Sequence, residues 1–468
     1  MASARHHTPV PRGSSPHEAA PLPALHSAEH LRQSREEFHL DNLTPADVDH
    51  IRLNRRGSAP NGTFLSWVIT LFGTAVGAGI LFLPLNAGSF GFWPLVIATA
   101  LIGPLVFFSH RMYARIVSAS PVKGLDVLQV VTALSGRKRG VVTAVMYWLA
   151  IYPTVLIYAI SMTNTMESFL VNQIGLAQVN RVLLAIACVG LLTGAFALGK
   201  KATLWFANIL VYPLIVALAG VSFYLVPRWD LASFRSYESA TPLWQSLLLI
   251  LPVLVFSFSH MAAVSQFALD VQKAKKGDVA ATERQVSRIE LITTALLVAF
   301  TMFFVWSCTL ALGAKGLEEA AAQNLPVLSY FANVTNTPFM AVITPVVAIC
   351  AIASSFFGHL LGTEEGTTYL VRVIAPRATQ GVSDRVLRYG VIAFVFVTGV
   401  LVAVLNPSIL DLISVIGGIF MTFLVYLVPF LLFRKAKAFA HYAHRPDALF
   451  VGFMGAVIMA VSVWEMFR

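Results

Sequence analysis

Charge is what this sequence is short of. Asp, Glu, Lys and Arg make up only 12% of its 468 residues, about half the share of a soluble globular domain. Cysteine is nearly absent too. Cys188, Cys308 and Cys350 are odd in number and all lie in apolar runs, so they form no disulfide framework and read as small core residues. There is no metal-ligand set, no Ser–His–Asp arrangement and no nucleotide-binding loop, which removes the support for a membrane-embedded enzyme. The net charge of +10 comes without any basic patch interleaved with aromatics, so nucleic acid is not an expected partner. A continuous polar stripe along several helices is also lacking, which argues against a channel.

What is present is apolar. Residues AVILMFWYC account for 57% of the chain and the mean hydropathy is +0.73, the composition of an all-α polytopic membrane protein in contact with lipid. Residues 1–62 are the exception. They are polar, rich in Pro, Ser and His, and read as a disordered tail with a short helix around Glu29–Phe38. Seven of the twelve histidines fall there, at positions 6, 7, 17, 26, 30, 39 and 50, in the scatter usual for inert tail histidines.

From Phe64 onward the hydropathy predicts eleven transmembrane helices, at 64–87, 91–109, 140–162, 181–198, 204–226, 243–266, 288–312, 338–362, 386–405, 408–432 and 447–466. Charge orients them. With a cytoplasmic N-terminus, 28 of the 33 Lys and Arg fall in the tail and inner loops; only Arg181, Arg228, Arg235, Lys315 and Arg468 fall outside. Such a bias predicts N-in, C-out.

Three spans are interrupted by residues that a lipid-facing helix does not need. Span 1 carries Gly73-Thr74-Ala75-Val76-Gly77-Ala78-Gly79 and then Pro84. Gly73 and Gly77 alone would make a close-packing GxxxG face, but the third glycine points to a helix that unwinds at mid-membrane. Span 6 carries Val255-Phe256-Ser257-Phe258-Ser259-His260, with two serines and an ionisable group deep in an apolar run; intramembrane histidines mark sites more often than packing. Span 8 carries Ala351-Ile352-Ala353-Ser354-Ser355 with His359 one turn on; helix-to-helix hydrogen bonding is the plainer alternative. Spans 1 and 6 are five apart. The membrane part, 63–468, therefore reads as a 5+5 inverted repeat (about 64–226 and 243–432) plus one helix (447–466), and paired breaks in such repeats point to a transporter site.

GTAVGAGILFLPLNAG (73–88), FFSHR (107–111), VFSFSH (255–260), SSFFGHLLGTEEG (354–366) and NPSIL (406–410), in that order, resemble the hydroxy/aromatic amino acid permeases over residues 62–466, above all their bacterial serine and threonine transporters. The resemblance implies a leucine-transporter-like fold in the bacterial inner membrane, no bound cofactor, and import of serine or threonine by proton or sodium symport. An aromatic substrate, tryptophan or tyrosine, is the alternative, though the cluster of Phe256, Phe258 and Phe357 favours a smaller ligand. Carried over residue by residue, the resemblance places Thr74, Ala75, Gly77, Ala78 and Gly79 at the substrate carboxylate. Phe256, Ser257 and Ser259 then lie at its ammonium and side chain. His260 bonds a substrate hydroxyl or carries the coupling proton, His359 stands nearby, and Tyr152 covers the substrate unless it merely packs. It also implies a sodium site of the Gly73, Val76 and Ala351 carbonyls with the Ser354 and Ser355 hydroxyls. Serine and threonine transporters of the family often carry a lysine where Ser354 stands; serine favours sodium there, while His260 and His359 keep a proton open. Spans 1, 2, 6 and 7 would rock against spans 3, 4, 8 and 9. Asp411 could belong to an outer gate, but span 1 offers no arginine to pair with it, and Glu364 and Glu365 read as boundary charges.

Overall fold

The computed structural model describes residues 36–43, 63–335 and 337–467. Among them every regular element is a helix. Most of the histidine-bearing tail, and all but the last residues of the helix expected around Glu29–Phe38, lie outside the described residues.

Span 1 starts where Thr63 caps it, its hydroxyl accepting the Ser66 N–H at 3.2 Å. Helix Phe64–Ala75 then stops at Val76 and Gly77, and helix Ala78–Ala87 leaves at a bend of 58°. Span 6 repeats the arrangement: Leu243–Phe258 and Met261–Ala274 meet at 49° across Ser259 and His260. Both expected interruptions are thus real breaks.

The remaining spans are Phe92–Ser118 (span 2), Arg137–Ser168 (span 3), Arg181–Ala197 (span 4), Lys200–Leu225 (span 5), Pro338–Ile374 (span 8), Asp384–Leu405 (span 9) and Pro446–Met466 (span 11). Span 7 is the first part of Val279–Ala322, which turns at Gly313 (φ 68°). Span 10, Ile409–Lys435, widens into π-helical turns at Ile416–Met421 and Phe423–Leu427. Among the described residues eight helices are long and apolar enough to cross a bilayer, ten if each bent pair counts as one span. The remaining expected span, span 4, is the helix Arg181–Ala197, whose 17 residues sit at the short end of spanning length. Several helices outrun their hydropathy: span 2 continues to Ser118, span 7 begins at Val279 and span 8 ends at Ile374. Hydropathy marks the lipid-crossing stretch, whereas hydrogen bonding carries the helix on into charged residues.

Spans 1, 2, 6 and 7 pack on one another, as do spans 3, 4, 8 and 9, with the broadest contact between spans 3 and 8. These are the two groups expected to move against each other. Span 5 lies along span 8. On the face bearing the tail, Arg111 and Arg115 share the Asp447 carboxylate, with Arg115 Nη1 at 2.9 Å, and Glu283 lies 3.4 Å from Arg115. The described tail segment is docked there. Phe38 is buried, Glu37 accepts the Lys437 and Ala438 N–H groups, and the His39 N–H donates to Ala133 O. On the opposite face Arg181 holds Glu167 and Asn164, and Asn164 reaches Asn324 O and Asn406.

Candidate functional site

Span 1 has no side chain able to hold its broken end, so the break is made by backbone. Gly77 is extended (φ −138°, ψ −158°) and its N–H turns back to Ala75 O at 2.9 Å. A methyl group on Gly77 would overlap Ser355 Oγ of span 8. One on Gly79 would sit 3.2 Å from both the Phe256 ring and Ser257 Cα of span 6. The two glycines are therefore the points where spans 8 and 6 close on the break, the close approach that glycine permits. Gly73 differs: its added methyl would meet Val211 of span 5, so the packing reading of the GxxxG pair holds for that residue. At the start of the helix that begins at Ala78 the Ile80 N–H closes on Gly77 O at 3.2 Å, and this N-terminus is the positive end of the helix dipole. Ala75 and Val76 are buried beside this end. The Thr74 hydroxyl is spent within its own helix, on Thr70 O at 2.7 Å.

Span 6 breaks with polar side chains. Ser257 Oγ donates to Gly79 O at 3.1 Å, tying the two breaks together. Ser259 is extended (ψ 124°), its N–H on Phe256 O, and its Oγ is buried with no hydrogen-bond partner. Buried hydroxyls are rarely left so, and one at the junction of two broken helices is a ready contact for a polar ligand. Phe256 closes over Gly79 and against Gly417 of span 10.

His260 does not face this junction. Its Nε2 lies 2.9 Å from Glu290 Oε2 of span 7, its Nδ1 lies 3.3 Å from Phe258 O, and its ring stacks on His110 of span 2 with centroids 3.9 Å apart. His260 and Glu290 are fully buried and His110 nearly so. With both ring nitrogens occupied by protein, His260 has none to offer a substrate hydroxyl.

Span 3 supplies a different tyrosine from the one expected. Tyr152 is sandwiched between Trp148 (4.5 Å) and Phe394 of span 9 (5.0 Å), a packing position. Tyr158, six residues on, reaches Ser355 with its hydroxyl and meets His359 edge-on at 5.2 Å. His359 Nδ1 in turn bonds Ser355 O at 3.0 Å. Ser355, Tyr158 and His359 thus form one cluster against Gly77.

The oxygens put forward for a cation are Gly73 O, Val76 O, Ala351 O, Ser354 Oγ and Ser355 Oγ, hard donors of the kind sodium takes. Ser354 Oγ donates to Ala351 O at 3.0 Å, which joins two of the five and leaves lone pairs on both. Ser355 stands at the break itself. The donor chemistry fits a hard monovalent cation. Asp411 is exposed in the first turn of its helix, its N–H on Ser408 Oγ, the ordinary place for a carboxylate at a positive helix end. Glu364 lies 3.8 Å from Arg388 within the continuing helix of span 8.

Three residues escaped the sequence reading: Glu290, His110 and Tyr158. Glu290 follows Glu283, Arg284 and Arg288 and so looks like the edge of a loop, yet the helix begins at Val279 and Glu290 is three turns inside it. His110 was hidden in the same way, because span 2 runs eight residues past it to Ser118. Each stands one or two residues from an arginine, His110 beside Arg111 and Glu290 after Arg288, and so on a different face of its helix, which was the available signal.

The sequence model of the tryptophan/tyrosine permease family matches residues 61–466. The chain is 36% identical over 417 residues to the serine transporter SdaC of Escherichia coli K12, covering 88% of this chain and 96% of that protein. The serine transporter SdaC of Shigella flexneri matches to the same extent. Among solved structures, MhsT in complex with L-phenylalanine superposes with a TM-score of 0.60 at 14% identity, over 87% of this chain and 99% of that one; at that identity the likeness speaks for the fold.

Proposed function

The chain belongs to the tryptophan/tyrosine permease family, and from that premise we propose that it imports a small neutral amino acid, L-serine first and L-threonine second. It is a secondary transporter, not an enzyme; nothing is chemically transformed. The observation that carries the reading is the pair of facing breaks in spans 1 and 6, tied by Ser257 Oγ to Gly79 O. The N-terminus of a helix, the positive end of its dipole, suits an amino acid carboxylate, while the broken end of span 6 offers carbonyls and the unpartnered Ser259 hydroxyl to the ammonium and side chain. The serine transporters that are 36% identical to it over 96% of their own length point to the substrate.

The size of the site supports a small ligand. Phe256 rests on Gly79, and Tyr158 and His359 close the side towards span 8. The second reading, an aromatic amino acid, rests on the family description and would require Phe256 to swing away. Coupling is to a cation, either sodium at the span-8 oxygens or a proton. The charge bias supports a cytoplasmic tail, and the likeness to bacterial serine transporters supports the bacterial inner membrane.

Counterflow into proteoliposomes tests the substrate. Labelled serine should exchange, with threonine competing and tryptophan and tyrosine not. Exchange of tryptophan in preference to serine would replace the first reading by the second.

A further inference from the structure

Resting on the symport reading above, we propose that the buried His260–Glu290 pair, with His110 stacked on it, binds the proton that drives transport. The argument is one of hydrogen positions. His260 Nδ1 faces the Phe258 carbonyl at 3.3 Å, an acceptor, so Nδ1 must carry hydrogen. Nε2 then faces Glu290 Oε2 at 2.9 Å. A neutral imidazole protonated at Nδ1 has only a lone pair at Nε2, and a carboxylate has only lone pairs. Two acceptors do not approach so closely in a dry interior. One further proton must lie between them, as imidazolium–carboxylate or as imidazole–carboxylic acid, with zero net charge either way. The opposite tautomer would set an Nδ1 lone pair against Phe258 O. The geometry is thus that of the proton-loaded pair.

His110 fixes which site holds that proton. Its Nε2 accepts the His260 backbone N–H at 3.3 Å, so its own hydrogen is on Nδ1, which donates to Val106 O at 3.1 Å. Both nitrogens are committed in the neutral form, with Ser109 Oγ 3.2 Å from Nδ1. A second proton on Nε2 would point at an N–H group. His110 is a positioning residue: it anchors the backbone at the break and presents a neutral ring to His260.

The other charged groups nearby are accounted for. The half of span 1 packed here, Phe64–Ala75, has no titratable side chain, and neither has Leu243–Phe258. On span 2, Arg111 and Arg115 turn to Asp447 and Glu283, and Tyr113 is buried further along. On span 7, Arg284 and Arg288 are exposed. On the inner half of span 6, Asp270 accepts from Gln266, and Lys273 lies at the helix end. Tyr426 of span 10 directs its hydroxyl to Leu105 O at 3.5 Å.

Release of the proton to water leaves Glu290 ionised and unmatched. Its Oε1 already lacks any partner, and a lone carboxylate in such a place is strongly unfavourable. Relief requires the pair to open towards water. Because His260 is the N-cap of Met261–Ala274, opening the pair moves the inner half of span 6, the same element whose outer neighbour is tied to Gly79. Proton loss and substrate release on one side of the membrane are thereby joined.

The test uses the purified protein in sodium-free liposomes holding a pH dye. An inward gradient of about one pH unit should sustain about tenfold serine accumulation at one proton per serine, and serine addition should acidify the lumen. Glu290→Gln should abolish both while leaving slower but measurable serine counterflow. Acidification by Glu290→Gln at the wild-type rate would overturn the proposal. So would wild-type accumulation on a sodium gradient without acidification, a measurement that needs no variant. Absence of wild-type serine counterflow would instead sink the substrate reading, and this inference with it. His110→Phe, which keeps the stack and removes the acceptor, should shift the pH of half-maximal uptake; a lower rate at an unchanged pH profile would remove His110 from the site.

Discussion

Span 1 and span 6 break at corresponding places by different means. Span 1 does so with glycine alone: Gly77 and Gly79 admit Ser355 and Phe256 to the backbone, and no side chain there can change its charge. Span 6 breaks around Ser259 and His260, with His110 of span 2 stacked on the His260 ring and Glu290 of span 7 bonded to it. The first break is a shape that a ligand completes. The second carries its own titratable centre, fully enclosed by protein. Substrate recognition and energy coupling, if divided this way, meet in one hydrogen bond, from Ser257 Oγ to Gly79 O.

The comparison can be broken most forcefully at Gly77. Gly77→Leu should abolish serine counterflow while the protein still inserts, because its side chain must enter the space of Ser355. Overpacking of this kind costs about 1–3 kcal/mol or more, and size-exclusion chromatography of the purified variant separates loss of the site from loss of the fold. Next in size, Tyr158→Phe should weaken serine affinity about tenfold by stripping a partner from Ser355, read as the concentration for half-maximal exchange. Tyr152→Phe should change it little, since that ring serves to pack. An equal effect of the two would return the sequence-based choice of Tyr152 to the site. Ser257→Ala should weaken coupling between the breaks by about 1 kcal/mol, seen as a rise of roughly fivefold in the half-saturating serine concentration. The smallest effect belongs to Thr74→Val, expected within about 0.5 kcal/mol of wild type because that hydroxyl only bonds back to Thr70 O.

Sequence legibility followed the same divide. The breaks were visible because glycine clusters, and Ser-x-Ser-His in an apolar run, are chemically conspicuous without any knowledge of neighbours. The division into two packed helix groups followed from the fold those breaks imply. The partners of His260 were not visible. His110 and Glu290 lie 150 and 30 residues away from it, and each stood near enough to loop charges to pass for a membrane boundary. Tyr152 and Tyr158 are nearly two helical turns apart on one span, and only the rotation of that helix against spans 8 and 9 tells which faces the break. Thr74 shows the reverse error, a polar residue in the right place whose hydroxyl is already engaged. The count of eleven spans includes one short helix, Arg181–Ala197, largely apolar but near the lower limit of spanning length.

The glycine pair of span 10 gives the molecule a mechanical property as well. A side chain at Gly417 would run into Pro252 O and Phe256, and one at Gly418 into Ser462 of span 11, while the π-helical turns around them widen the helix. At these two glycines span 10 therefore meets the outer half of span 6 backbone to backbone. Where backbones touch this closely, few side chains need to unlock for one helix to slide past the other. If span 6 must travel for each substrate carried, Gly417 and Gly418 mark the place where it can pass span 10 most easily.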